Sequence, residues 1–278
     1  SVILFYDSEF GTPPEYFKSF GIDMDRVVHT PITDVEQLKF DITNQLNDLD
    51  KKDNVCIVID SIGNLASKKE VDDALDGKSV ADMSRAKQMK SLFRIVTPHL
   101  NLKDIPLICV NHTYKEIGLF PKDIVSGGTG AYYSADAIWI IGRRQEKEGT
   151  EIKGYHFVVN IEKSRHVREK SQIPITVTFD GGIMKWSGLL EVAEKAGYVH
   201  KPKVGWYEAL NPETGEVLSD KMMRAKEIVD NKDFWLMMFE KTNLAKHIEK
   251  VYTIASSAGL ISDDSQIEIA DEEIVAND

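Results

Sequence analysis

Apolar runs rich in β-branched residues recur near 2–6, 55–59, 106–110, 137–142, 155–161 and 173–179, each bounded by polar or turn-forming residues. Short runs of this kind predict strands. Between the first three the spacing becomes helical. Pro13-Pro14 ahead of Glu15-Tyr16-Phe17 predicts a helix start, because proline presets the first-turn backbone. Thr33-Asp34 before Val35, Leu38, Ile42 and Leu46 predicts a second helix, with Asp or Thr as its cap. Val80 to Leu92, with Met83 and Met89, predicts a third. Alternating strands and helices imply a largely parallel sheet covered by helices. The last two strands, joined through a charged segment, are expected to be antiparallel.

The pattern changes after Asp180-Gly181-Gly182. Ser187 to Ala196 predicts a short amphipathic helix, and Trp206-Tyr207 and Val217-Leu218 flank a turn, Asn211-Pro212-Glu213-Thr214-Gly215, that predicts a hairpin. Helices carrying Phe234, Trp235, Leu236, Phe239, Ile248 and Tyr252 should then form an aromatic core. The expected organisation is an α/β core over 1–184, a small α+β domain over 185–261 and a tail over 262–278.

Composition adds limits. With 278 residues, 42% apolar and 28% charged, the chain has the make-up of a globular protein. The net charge of −11 excludes a uniformly basic surface, yet nucleic-acid binding depends on where Lys and Arg cluster. Part of the excess is the tail, where Asp263, Asp264, Glu268, Asp271, Glu272, Glu273 and Asp278 occur without Lys or Arg. Cys56 and Cys109 sit inside apolar runs and read as buried thiols; no paired-cysteine spacing supports structural zinc. No apolar stretch approaches the roughly 18 residues of a membrane span, and no signal peptide is evident. A reducing, cytoplasmic setting without membrane partners is expected.

Several strand ends carry chemistry. Val55 to Ile59 runs into Asp60-Ser61, placing a carboxylate where open α/β sheets bind ligands; there it would orient Mg²⁺, or merely cap the next turn. Tyr6-Asp7-Ser8-Glu9 repeats the geometry, and one of its carboxylates could polarise a water. Leu107 to Val110 ends in Asn111-His112, an amide and an imidazole suited to phosphate contact or to simple surface exposure. Ser126-Gly127-Gly128-Thr129-Gly130 lacks the Lys-Ser or Lys-Thr of a phosphate-binding loop and reads as a binding loop or a plain turn. Lys163, Arg165, His166, Arg168 and Lys170 follow a strand, with Lys163 and Arg165 expected on one face. They would neutralise phosphate or form a solvated turn.

The order of these pieces resembles the RecA-type recombinase family, in its phage branch. The phrases carrying the likeness are Leu4-Phe5-Tyr6-Asp7-Ser8-Glu9-Phe10-Gly11, the run from Ile59 to Glu70, the run from Met89 to Pro98, and Glu162-Lys163-Ser164-Arg165. It continues through Gly205-Trp206-Tyr207 and so covers nearly the whole chain. The resemblance implies a RecA-like nucleotide-hydrolysing core that uses ATP and Mg²⁺. Glu9 would activate water, Asp60 would be the metal-orienting acid with Ser61 beside the nucleotide, and Tyr16 would stack on adenine. His112 would sense the terminal phosphate, and Lys163 and Arg165 would act on a neighbouring subunit's nucleotide. A first DNA loop would span about 67–80 with Lys68, Lys69 and Lys78, followed by Arg85 as a phosphate contact. A second would span about 113–133 with Lys115, Lys122, Gly127, Gly128 and Thr129.

The implied activity is ATP-dependent coating of single-stranded DNA in a helical filament, pairing with duplex DNA and strand exchange. A mediator and a single-strand-binding protein are expected partners. The alternatives are a hexameric helicase motor on the same fold and a non-hydrolysing DNA-binding relative. The family's glycine-lysine phosphate loop does not occur in this sequence, which opens at Ser1 inside a strand. The expectation is therefore a fragment that lacks that loop and a central strand, and that alone neither binds ATP tightly nor forms filaments.

Overall fold

The computed structural model describes residues 1–78, 84–117, 123–148 and 150–254, without the side chains of 147 and 148. The start of the third predicted helix with Met83, the loop residue Lys122 and the acidic tail lie outside the described residues. The chain forms two compact units, Ser1–Ile140 and Ile141–Asp278.

In the first unit β1 (Val2–Asp7) leads to α1 (Pro14–Ser19), β2 (Val27–Pro31), α2 (Val35–Asp48), β3 (Val55–Asp60), α3 (Lys68–Leu75), α4 (Ser84–Lys103) and β4 (Leu107–Cys109). The strands form a parallel sheet in the order β2-β1-β3-β4. The register pairs Asp7 with Asp60, so both acids finish at the same edge. The Asp34 carboxylate caps α2 by accepting from the Gln37 amide at 2.8 Å, and Leu38, Ile42 and Leu46 are fully buried at i, i+4 spacing. From α4, Met89, Leu92, Phe93 and Val96 enter the same core, and the Lys103 ammonium donates to the carbonyls of Leu46 and Leu49 at the end of α2.

Two elements escape the pattern reading. The strand β2 is short, lies at the sheet edge and contains His29 and Pro31; proline is tolerated there because no donor is needed outward. The helix α3 buries no residue, its short apolar stripe of Val71, Ala74 and Leu75 being left unburied, but Ser67 caps it by accepting from the Glu70 amide at 3.1 Å. The helix α4 also continues through Pro98, beyond the predicted segment. At the other sheet edge, Ile108 of β4 is 56% exposed.

A small hairpin, β5 (Thr113–Lys115) with β6 (Asp123–Val125), and α5 (Thr129–Ser134) complete the first unit. The division between units falls within β7 (Ala137–Glu148). With β8 (Glu151–Ser164), β9 (Gln172–Thr178) and β10 (Gly182–Ile183) this strand makes a separate sheet, ordered β10-β9-β8-β7. Its β8–β9 and β9–β10 pairings are antiparallel, as expected for the last two predicted strands.

The remainder contains α6 (Leu189–Lys195), β11 (Val199–Lys203), β12 (Trp206–Ala209), α7 (Ala225–Ile228), α8 (Lys232–Lys241) and α9 (Leu244–Tyr252). The predicted hairpin forms as a short one around its turn. Leu210 bridges Val217 antiparallel, and the Leu218 amide donates to the Ala209 carbonyl and the Asn211 amide to the Glu216 carbonyl, both at 2.8 Å, while the longer antiparallel pairing of Trp206–Ala209 is with Val199–Lys203. The turn residues were read correctly, but the preceding segment competed for the strand. Trp235 is fully buried, and its indole Nε1 donates to the Ile228 carbonyl at 3.0 Å. Both cysteines are free and half-buried; burial pushes the Cys109 thiol up to about 12 and raises that of Cys56.

Candidate nucleotide and nucleic-acid site

Three strand ends of the first unit converge at the carboxyl edge of the parallel sheet. Asp7 closes β1 with a carboxylate only 1% exposed. Its Oδ1 accepts the amides of Glu9 at 3.0 Å and Phe10 at 2.8 Å, and its Oδ2 lies 3.0 Å from His29 Nε2 on β2. A buried carboxylate is stable only when its lone pairs find donors, and here those donors are the backbone of the next turn. Asp7 therefore sets the path of the chain that presents Glu9.

Across the sheet edge, the Ser8 amide donates to the Asp60 carbonyl at 2.8 Å. The Ser8 hydroxyl donates to the Ser61 carbonyl at 2.6 Å and accepts the Ser61 amide at 2.9 Å. The hydroxyl of fully buried Ser61 donates to Glu9 Oε1 at 2.7 Å. His112 approaches the same oxygen, with Nε2 at 3.7 Å. Glu9, Ser61 and His112 thus form one cluster from three chain segments, beside Asp60. Gly63 makes room for it: a Cβ there would fall 2.9 Å from His112 Cγ and 3.2 Å from the His112 backbone nitrogen.

Electrostatics distinguish Asp60. Its carboxyl is held above the ordinary carboxylate range, first by burial and then by the negative charges of Glu9 and Asp7, with His112 pulling it partly back. Crowded carboxylates of this kind favour a bound cation. Among the described residues no three His, Cys, Asp or Glu side chains gather into a metal cage. Mg²⁺ in a nucleotide site needs none, since phosphate oxygens and water supply most of its ligands and protein only one or two carboxylates. Asp60 fits that role.

The other sequence-derived residues are distributed as follows. Tyr16, on α1, presents a ring 58% exposed, with Phe20 packed edge-on at 5.1 Å. Lys68 and Lys69 open α3, exposed, and the Lys69 ammonium meets the Asp73 carboxylate. Lys78 pairs with Asp76 at 2.8 Å and Lys115 with Asp123 at 2.7 Å. Exposed pairs of this kind contribute less than about 1 kcal/mol. Gly127 and Gly128 adopt positive φ, 88° and 79°, ahead of Thr129, which opens α5. Lys163 is the last residue but one of β8 and Arg165 directly follows the strand; both belong to the second unit.

Arg85, expected from the family resemblance to contact phosphate, is held by the protein's own backbone. Its Nε donates to the Leu65 carbonyl at 2.6 Å, and its Nη2 donates to those of Ile62 at 2.9 Å and Gly63 at 3.0 Å. The guanidinium is directed into the protein's own backbone. Sequence reasoning also missed the supporting roles of Asp7, His29 and Gly63. His29 could have been found only by recognising β2 as the neighbour of β1.

Comparison with known proteins shows the family of this chain. Residues 1–184 match the family model described as the RecA N-terminal domain. Residues 186–248 match that of the C-terminal domain of the bacteriophage T4 recombination and repair protein. The T4 protein itself, UvsX, is 51% identical over 259 residues, covering 92% of this chain and 66% of the T4 sequence. Protein RecA of Streptomyces coelicolor is 25% identical over 269 residues, covering 96% of this chain and 67% of that protein. The chain spans about two thirds of the length of these relatives. It belongs to the RecA family of recombination proteins.

Proposed function

We propose that this chain is the greater part of an ATP-dependent DNA recombinase, working within a longer protein that supplies a glycine-lysine phosphate loop. The observation that carries the reading is the Glu9 carboxylate held by the Ser61 hydroxyl, beside His112 and the charge-crowded Asp60.

In this reading Tyr16 stacks on the adenine and Asp60, with Ser61, faces the metal-bound phosphates. Mg²⁺, when bound, neutralises charge on the phosphate oxygens. Glu9 accepts a proton from the water that attacks the terminal phosphate, and Ser61 keeps its carboxylate oriented. His112, 3.7 Å from that carboxylate, registers the phosphate and passes its presence to Asn111 and Ser126. The Asn111 amide donates to the Ser126 carbonyl at 2.8 Å, and the Ser126 amide to the His112 carbonyl at 2.9 Å, so β4 is tied to the glycine-rich segment. Lys163 and Arg165 stabilise charge on a neighbouring subunit's nucleotide.

Lys68, Lys69 and Lys115, with Gly127, Gly128 and Thr129, contact the backbone of single-stranded DNA. Contact through phosphates suits sequence-independent coating. The protein then pairs its filament with duplex DNA and exchanges strands, alongside a mediator and a single-strand-binding protein in the cytoplasm. The division into an ATPase core over 1–184, a small domain over 185–261 and an acidic tail over 262–278 belongs to the same proposal; the ranges of the two family models support its first boundary.

The test is microscopy and strand exchange with a full-length protein carrying this sequence. ATP-dependent helical filaments whose length follows the DNA, and joint-molecule formation between homologous DNAs, are expected. Closed rings that unwind duplexes would replace the proposal with a helicase motor.

A further inference from the structure

Arg85 is the second residue of α4, and three backbone carbonyls of the segment after β3 converge on its guanidinium. That segment, Ile62 to Leu65, directly follows Ser61 and contains Gly63, the residue against which the His112 ring rests. Anchoring is reinforced next to Arg85, where the Ser84 and Ser67 hydroxyls meet at 2.8 Å.

Another face of the same helix supports α5. A Cβ at Gly128 would lie 3.6 Å from the Ala86 Cβ, and one at Gly130 would lie 2.7 Å from the Lys90 Cα. No side chain fits at Gly130, so α5 rests backbone-close on the second turn of α4. The first two turns of α4 are therefore packed between the glycine-rich segment and the loop that positions the Glu9 cluster.

We propose that Arg85 is a positioning residue that couples the glycine-rich segment to the Glu9–Ser61–His112 cluster. This inference rests on the nucleotide reading given above and names the regulation of that site. A displacement of α5 by DNA bears on α4, and Arg85 transfers it to the carbonyls of residues 62, 63 and 65. Gly63 then moves with His112, changing how the imidazole meets Glu9. The planar fork of arginine suits three acceptors fixed in one loop; a lysine ammonium carries the same charge but cannot span them.

The experiment uses the full-length protein with Arg85→Lys, Arg85→Gln and Gly63→Ala, each first checked for a cooperative thermal transition. The quantity read is the ratio of ATP turnover with single-stranded DNA to turnover without it, together with the salt dependence of DNA binding. Arg85→Lys is expected to lower the ratio by about tenfold, within the usual range of coupling between sites. Gly63→Ala, which acts at the other end without altering charge, is expected to lower it too. The log–log salt slope of binding should stay unchanged in all three variants.

A wild-type ratio in Arg85→Lys or in Gly63→Ala would overturn the proposal. So would a slope reduced by about one in Arg85→Gln, the signature of a lost phosphate contact. Hydrogen exchange of amides 62–66 in nucleotide-free protein is expected to quicken in Arg85→Lys, and protection equal to wild type would show that Arg85 anchors nothing. Absence of DNA stimulation in the wild type would instead remove the recombinase reading itself.

Discussion

The two units bury different kinds of side chain. In the first the core is mainly aliphatic, with Ile32, Val35, Leu38, Ile42, Leu46, Ile57 and Ile59 among its members. The buried polar side chains among the described residues, Asp7, Ser61 and Ser67, also lie there. The core of the second is richer in rings, with Tyr198, Tyr207, Phe234 and Trp235 packed among Leu190, Val199, Ile228, Met238 and Leu244. The indole of fully buried Trp235 donates to a carbonyl of its own fold. Buried carboxyl and hydroxyl groups are costly unless every lone pair is met, and no buried side-chain nitrogen or oxygen among the described residues lacks a partner. The first unit thus keeps buried polar contacts, and Asp7 and Ser61 among them hold Glu9 in place, whereas the core cluster of the second is apolar.

That contrast can be broken by substitution. The largest effect is expected from Trp235→Ala, which removes a fully buried indole and should destabilise the second unit by about 3–5 kcal/mol. Near-ultraviolet circular dichroism during heating should show a low-temperature transition split from that of the first unit. A single, unshifted transition would mean that the ring cluster is not what holds the second unit together.

The smallest effect is expected from Asp60→Asn in metal-free protein. The Asp60 carboxyl is raised in the folded state, so its contribution favours folding below its unfolded value and is lost as pH rises through the folded one. At neutral pH the ionised group is a net cost, and Asn should raise the melting temperature slightly, on the order of a degree, because solvent screens much of the repulsion. The gap should close as pH falls into the carboxylate range. Scanning calorimetry at several pH values reads both; a lower melting temperature at neutral pH would show that the carboxylate is not strained by its neighbours.

Legibility in the sequence followed the same division. Continuous or alternating apolar runs announced β1 and β3, and the stripe of Leu38, Ile42 and Leu46 announced α2, because burial imposes those periods directly. Asp60 and Glu9 could be read as strand-end acids for the same reason. What stayed hidden depends on contacts between distant segments. An edge strand of five residues with His29 and Pro31 carries no alternation, so the Asp7–His29 contact had no local sign. The inward turn of Arg85 needs three carbonyls that only the folded loop brings together. The pairing of Trp206–Ala209 with Val199–Lys203 was not read, because the turn at 211–215 already supplied a partner on the other side.

The central claim is that the carboxylate gripped by Ser61 takes the proton from the attacking water. Steady-state ATP turnover on single-stranded DNA by a full-length Glu9→Gln protein tests this most directly. The account predicts a fall of at least about 100-fold, with ATP-dependent DNA binding retained. Turnover equal to that of the parent would remove Glu9 from the chemistry and contradict the account.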